Sequence, residues 1–575
     1  MKFWHLQMNQ PWGRKSIYIN SRDMLEEEVP IIGTGDWDDN QFYNFINADG
    51  NGLNNEDIVL VREGKNPIAL CKVISDTFSD DELQKKYKNQ NFRKVKVLAF
   101  YDDTAKQILN KKLEEFDKSF IQASGTFTKC VNKNATNNFI EDWYNQVIKM
   151  GKIKERINIL DYKKQIILQG PPGTGKTREA KLIAKEILEL NSTDDLKDNE
   201  QFKLIQFHPS YTYEDFVRGI VAESKGDKIE YKNVNKTLGE FAELALKNYN
   251  DSKKNVNELS TEKWIDDEFT QFVDEISQTL EKEKIVLSDN VDLVDLMDDA
   301  FLYIGENWKG YEHRMSFKDI KRAYLDNNIT RQDIVKNINL SGSARQHATY
   351  YIVVLKKFRE FLSGKKAPTN QTKINEQKYI LVIDEINRAN LSSVLGELIY
   401  ALEYRGKAVE SMYSVENSIL NHKNQLILPD NLYIIGTMNT ADRSVGHIDY
   451  AIRRRFAFVD VLPEKLEDND EIFINTSDFI DVAKLFIKVG EDQVLDFEKA
   501  ENSDFLSDDF SAKDVALGHS YFIAEKKKIS EDNKQEYFNM KMKYEVIPIL
   551  NEYLKDGVFN EKATVKIKEI EQRFA

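Results

Sequence analysis

The sequence predicts a multidomain α/β protein: a parallel sheet flanked by helices and interrupted by a helical insertion, with a small β-barrel-like domain before it and a helical lid after it. Three observations carry this reading. GPPGTGKT at 170–177 stands between an apolar strand-like run and an amphipathic helical one. Four more apolar runs follow downstream, separated by stretches long enough for helices. Residues 1 to about 103 consist of short β-type runs punctuated by Gly, Asp and Asn. At 575 residues the chain is too long for one core, and 41% hydrophobic with 31% charged residues is the composition of folded domains.

The elements follow in order. FWHLQM, SIYIN, DIVLVREG, PIALCKVI and KVKVLAFY supply strands of a domain at 1–105, with GTGDWDDN and ADGNG as turns. Charged helical segments such as NNFIEDWYNQVIKM make 106–155 a connector. QIILQ at Gln165 opens an α/β domain spanning 156–464, and Ala180, Ile183, Ile187 and Leu190 give the next helix one apolar face. KLIQF at 203–207, KYILVID at 378–384, LYIIGTMN at 432–439 and FAFVDV at 456–461 are its other strands, and their apolar character is that of strands covered on both faces. The stretch from about 245 to 375 is charged and helix-like, the expected helical insertion, and 465–575 is the expected lid.

The strongest chemical signal is GPPGTGKT, a full match to G-x-x-x-x-G-K-[ST] in the strand–loop–helix context the motif requires. Gly170, Pro171, Pro172, Gly173, Thr174, Gly175, Lys176, Thr177 and the following Arg178 form the expected nucleotide-binding stretch. Its glycines let backbone N–H groups close around phosphate, and the helix N-terminus adds partial positive charge. Lys176 is expected to reach the β- and γ-phosphates, and the Thr177 hydroxyl to ligate Mg²⁺. In YILVIDEINRAN an apolar strand ends in two acids, so Asp384 is expected to hold the magnesium and Glu385 to polarise the attacking water. In IIGTMNTADRSVGHIDYAIRRRFAF a second strand ends in polar groups. Asn439 is placed to bond water or γ-phosphate, with Asp442 and Arg443 orienting it. Arg453, Arg454 and Arg455 are costly to crowd unless anions are near, and a guanidinium suits phosphoryl charge; the bland alternative is pairing with local acids.

Other chemistries are disfavoured. Cys71 and Cys130 lie far apart, and the seven histidines are scattered, so any metal is expected on oxygen ligands. No apolar run approaches the ~18 residues that span a bilayer, and the opening lacks a secretion signal's apolar core, so no membrane association and a cytoplasmic location are expected. A net charge of −15 argues against non-specific coating of nucleic acid. We find no nuclease centre in the sequence.

The ordered set GPPGTGKT, IDEINRAN, MNTADRS and DYAIRRRF resembles the AAA+ family, and MNTADRS resembles the signature of its McrB branch. FHPSYTYEDFVRGI at 207–220, GHSYF at 518–522 and YEVIPILNEYL at 544–554 are similar to that branch as well. The resemblance covers about 165–240 and 378–555. It implies a homo-oligomeric, hexameric ring with nucleotide between subunits, where Arg454 or Arg455 completes the neighbour's site. It further implies GTP rather than ATP, Mg²⁺, Asn439 as organiser of the catalytic water, and a McrC-like partner that carries the nuclease. The guanine preference comes from the resemblance alone, since the phosphate loop is blind to the base. An ATP-dependent remodeller whose first domain binds RNA or protein is the alternative.

The first domain resembles an EVE or related PUA-type β-barrel, which implies recognition of DNA carrying a modified base. Trp12, Trp37, Phe42 and Tyr43 offer aromatic faces for a flipped base, with Trp37 favoured because Gly and Asp flank it. Residues 1–100 hold 13 Lys and Arg against 15 Asp and Glu, so DNA contact must rest on a local patch such as Arg93, Lys94 and Lys96.

Overall fold

A computed structural model describes residues 1–8, 21–35, 40–63, 66–101, 127–130, 135–225, 228–306, 308, 312–366, 373–415, 418–420, 423–442, 448–469, 471–490 and 495–574. They form two compact units, Met1–Arg156 and Ile157–Ala575.

In the first unit six strands, β1 (Phe3–Gln7), β2 (Ile31–Thr34), β3 (Ile58–Glu63), β4 (Asn66–Val73), β5 (Asn91–Phe100) and β6 (Phe127–Lys129), lie in the order β2-β5-β4-β3-β1-β6. β1 and β3 run parallel, and the other neighbours antiparallel. Alternation gives the sheet two buried faces. Trp4, Leu6, Val59 and Val61 enter one core. Ile58, Leu60 and Leu70 enter the other, covered by Phe139, Ile140 and Trp143 of the helix Ala135–Lys163. β2 is only four residues long and was not legible as a strand. The expected strand SIYIN and residues 106–126 and 131–134 of the expected connector lie outside the described residues.

In the second unit β7 (Gln165–Gly170) feeds the helix Lys176–Ile187, and β8 (Phe202–Gln206) follows. β9 (Arg218–Lys225) and β10 (Lys228–Asn235) form a hairpin. The helix Thr237–Lys253 buries Leu238, Phe241, Ala242 and Ala245 in the main core, so it belongs to the parallel-sheet domain, and the insertion begins after it rather than at about 245. The insertion is not purely helical. Besides the helices Val256–Leu280, Phe317–Leu325 and Ala348–Phe361 it holds an antiparallel sheet, β11 (Ile285–Ser288), β12 (Val291–Leu296), β13 (Ala300–Gly305) and β14 (His313–Ser316). A register irregularity between Leu293 and Asp295 breaks the apolar alternation of β12, which hides its period of two in a charged stretch. Phe269, Phe272, Phe301, Tyr303 and Phe358 give the insertion a core of its own.

β15 (Tyr379–Asp384), the short pair β16 (Ala408–Glu410) and β17 (Gln425–Ile427), then β18 (Leu432–Asn439) and β19 (Ala457–Asp460) complete the domain. β19, β7, β18, β15 and β8 form one parallel sheet in that order. Parallel strands put all their carboxyl ends at one edge, where crossover loops leave room for a ligand. The C-terminal helices Thr476–Ala483, Lys534–Lys541, Ile547–Lys555 and Ala563–Gln572 close a separate core around Leu485, Phe486, Phe522, Val546 and Leu550. Among the described residues no helix is long and apolar enough to cross a membrane.

Candidate nucleotide site

β7 ends at Gly170, and the loop turns into its helix through Gly173 at φ +79° and Gly175 at φ +82°, a left-handed backbone that suits glycine. The first N–H groups of that 12-residue helix have no carbonyl within it, so they point at the space an anion would fill. Lys176 is 7% exposed, and its ammonium donates to the Gly170 carbonyl at 2.9 Å and the Pro171 carbonyl at 2.8 Å. Burial lowers its pKa to about 8, opposed by the negative charges of Glu385 and Asp384. The Thr174 hydroxyl donates to the Pro171 carbonyl at 3.1 Å, and Arg178 is exposed.

The acids meet this loop directly. Thr177 Oγ1 donates to Asp384 Oδ1 at 2.7 Å, and Thr437 Oγ1 donates to the same oxygen at 2.5 Å. Glu385, with φ +53°, turns the chain out of β15, and Asn439 Nδ2 donates to its Oε1 at 2.5 Å. Arg388 pairs with Glu385 Oε2 at 3.4 Å. Asn387 Nδ2 donates to the Asn439 carbonyl at 3.3 Å. Thus Lys176, Thr177, Asp384, Glu385 and Asn439 come together at the carboxyl ends of β7, β15 and β18. Thr437 and Asn387 belong to this constellation and were not singled out by sequence, since neither a threonine inside a strand nor an asparagine after the paired acids declares its hydrogen-bond partner. Thr177 and Asp384 present oxygen alone, the donor set a hard cation such as Mg²⁺ takes alongside phosphate oxygens. Among the described residues no three His, Cys, Asp or Glu gather as a transition-metal site would.

The remaining expected residues divide. Asp442 is half-buried, and Arg443 lies outside the described residues. Arg455 is a correction: its side chain is 8% exposed, pairs with Glu403 at 2.9 Å and donates to the Ala451 carbonyl at 2.5 Å, so it is committed within the chain rather than offered to a neighbour. Arg454 is 65% exposed, and its contact with Glu403 is longer, 3.4 Å.

The lid supplies contacts whose role the sequence did not reveal. The Gly518 N–H donates to the Pro172 carbonyl at 2.9 Å, and the Ser520 N–H to the Gly173 carbonyl at 3.0 Å. A Cβ on Gly518 would lie 2.0 Å from Gly173 C, and one on Gly173 would lie 2.7 Å from the Tyr521 ring. The Glu464 N–H donates to His519 Nδ1 at 3.2 Å, and burial lowers the imidazole pKa, with Glu464 opposing and Arg178 reinforcing. His519 is therefore held neutral beside the loop.

In the first unit Tyr43 is 44% exposed and Phe42 half-buried, adjacent on the helix Asn40–Ile46 with ring centroids 5.8 Å apart. Trp12 and Trp37 lie outside the described residues. Arg93 is another correction: it is buried and donates to the Phe45 and Ser75 carbonyls and to Thr77, so it belongs to no surface patch.

Against known families, residues 165–306 and 306–456 match the AAA domain (dynein-related subfamily), just over half of the chain. The chain belongs to that AAA family. Within it, the chain is 35% identical over 193 residues to the type IV methyl-directed restriction enzyme EcoKMcrB subunit of Escherichia coli (strain K12), covering 32% of this chain and 39% of that subunit. It is 43% identical over 89 residues to the type II restriction enzyme BsuMI component YdiS of Bacillus subtilis (strain 168), covering 14% of this chain and 26% of that component. The matched segments thus span well under half the length of these curated relatives. A solved structure, human THYN1 protein in complex with 5-methylcytosine containing DNA, aligns with a TM-score of 0.17 and 11% identity over 25% of this chain and 98% of that one.

Proposed function

We propose that this AAA protein is the GTP-hydrolysing motor subunit of a modification-dependent restriction system. The observation that supports it most is the meeting of phosphate loop, Asp384, Glu385 and Asn439 at adjacent strand ends, joined by hydrogen bonds of 2.5–2.7 Å. In this reading the loop N–H groups and Lys176 bind the β- and γ-phosphates, and Lys176 exchanges two loop carbonyls for phosphate oxygens. Thr177 and Asp384 would hold Mg²⁺, which when bound would supply positive charge to the phosphoryl group. Glu385, aimed by Asn439, takes a proton from the attacking water as its oxygen bonds to the γ-phosphorus and the nucleoside diphosphate leaves. Arg454 of a neighbouring copy in a hexameric ring supplies further positive charge.

GTP as fuel, the ring and a McrC-like nuclease partner are what the McrB resemblance of the motifs implies, and the restriction-enzyme relatives support a place in a restriction system. The first unit, read as an EVE-like domain, selects DNA with a modified base, for which Phe42 and Tyr43 offer stacking faces. The test is steady-state hydrolysis of GTP and ATP by the full chain, with and without a co-expressed nuclease partner. Faster turnover of GTP, stimulated by the partner, is expected; hydrolysis of neither nucleotide would end the motor reading. Duplexes with and without 5-methylcytosine separate the DNA proposal, which equal binding, or none, would remove.

A further inference from the structure

We propose that Thr437 is the positioning residue of the hydrolytic site, holding Glu385 by its backbone while Asn439 holds it by its side chain. The inference rests on the nucleotide-hydrolysing reading above and adds a residue that no motif marks. Thr437 and Asn439 are two apart on β18, so they project to the same side, toward the end of β15.

Thr437 is buried in an otherwise apolar strand, where a hydroxyl is costly unless its bonds are made. Both are made here. The Glu385 N–H donates to Thr437 Oγ1 at 3.1 Å, and that hydroxyl donates its own proton to Asp384 Oδ1 at 2.5 Å. The directions are fixed, because an amide can only donate and a carboxylate can only accept. One hydroxyl therefore joins the backbone of one acid to the side chain of the other.

Glu385 needs such a hold. Its φ of +53° is a left-handed conformation that is uncommon and costly for a non-glycine residue. Packing helps: a Cβ at Gly436 would lie 2.9 Å from Ile386 Cδ1, so this glycine makes room for the returning chain. Packing alone does not orient the Glu385 peptide; the bond to Thr437 does. If that peptide relaxed to the extended form, residue 385 would continue the strand opposite in sense to Asp384, and its carboxylate would leave Asn439. Thr177 also donates to Asp384 Oδ1, but its oxygen is the one a cation would claim, whereas Thr437 stands outside the phosphate loop and keeps its grip.

The test compares Thr437→Val, which keeps the shape and removes the hydroxyl, with Thr437→Ser, which keeps the hydroxyl, both in the full chain. We expect Thr437→Val to lower kcat for nucleotide hydrolysis roughly ten- to a hundred-fold. The Kd for a fluorescent GTP or ATP analogue with Mg²⁺ should move less than about threefold, as for a group acting on the chemical step. Thr437→Ser should keep at least about a third of the parental kcat. Hydrogen exchange in peptides spanning 381–388 reads the same contact without turnover: faster in the valine variant, parental in the serine one. Parental kcat in the valine variant overturns the proposal, as does a serine variant equally slow, or an affinity loss as large as the rate loss, which would mark a packing residue. If the parent chain hydrolyses neither nucleotide, the motor reading fails, and the exchange rates alone decide what Thr437 holds.

Discussion

Two buried cations set the two sheets of this molecule apart. In the AAA sheet Lys176 lies against loop carbonyls and faces two carboxylates at the open edge of parallel strands. In the first unit Arg62 lies within the sheet, opposite Gln7 in register, donating to His5 Nδ1 at 3.1 Å and to Gln7 Oε1. Burial lowers both, Lys176 to about 8 and Arg62 to about 10. The surroundings place one beside the phosphate loop and fix the other inside the sheet. A lysine at a helix N-terminus can trade loop carbonyls for the oxygens of an anion; an arginine spanning two paired strands has nowhere to go without parting them.

Four measurements bear on that contrast. The largest effect belongs to Glu385→Gln, which keeps the bond from Asn439 and loses the base. Hydrolysis should fall about 10²- to 10⁴-fold with nucleotide affinity retained, as for removal of a general base. A parental rate would move catalysis elsewhere. Next, Tyr43→Ala should weaken binding to methylated duplex by about five- to a hundred-fold, the worth of one stacked base, and leave DNA-free hydrolysis unchanged. Undiminished DNA binding would take the aromatic helix out of the reader.

The third measurement is acid sensitivity of the first unit. Burial, and then the charge of Arg62, lowers the His5 pKa from 6.5 to about 4. The unfolded chain therefore binds a proton that the folded one refuses between those values, and stability must fall as pH drops through that window. Melting of the full chain should show an early transition that shifts down between about pH 6.5 and 4, and His5→Asn should flatten the shift. The smallest effect concerns Lys176. With a pKa of about 8 against an ordinary 10.5, the free ammonium is largely deprotonated near pH 9, and phosphate restores its proton. Calorimetry in two buffers of different ionisation heat should find uptake approaching about one proton per nucleotide near pH 9 and little at pH 7. Uptake independent of pH would mean that Lys176 does not meet the phosphates.

What the sequence disclosed and what it hid differ by range of interaction. The five parallel strands and the residues Lys176, Thr177, Asp384, Glu385 and Asn439 were legible because apolar runs and motifs are local signals. The four-residue β2 and the acid-laced β12 were not, since each is too short or too charged for its period to show. Thr437 acquires meaning only from a strand 50-odd residues earlier, and the Gly518–Tyr521 turn only from the phosphate loop. Arg454 and Arg455 look alike in a string. Just past the helix that ends at Arg453, the Arg455 side chain is buried against Glu403 at 2.9 Å, whereas that of Arg454 is 65% exposed and reaches Glu403 only at 3.4 Å.

The close approach of Gly173 and Gly518 ties two distant parts of the gene together. With peptide groups bonded at 2.9 and 3.0 Å and no space for a methyl on either glycine, neither segment can drift in sequence without its counterpart. Chimeras that graft this C-terminal bundle onto another AAA core should tolerate the exchange only when the recipient loop brings a matching pair of small residues.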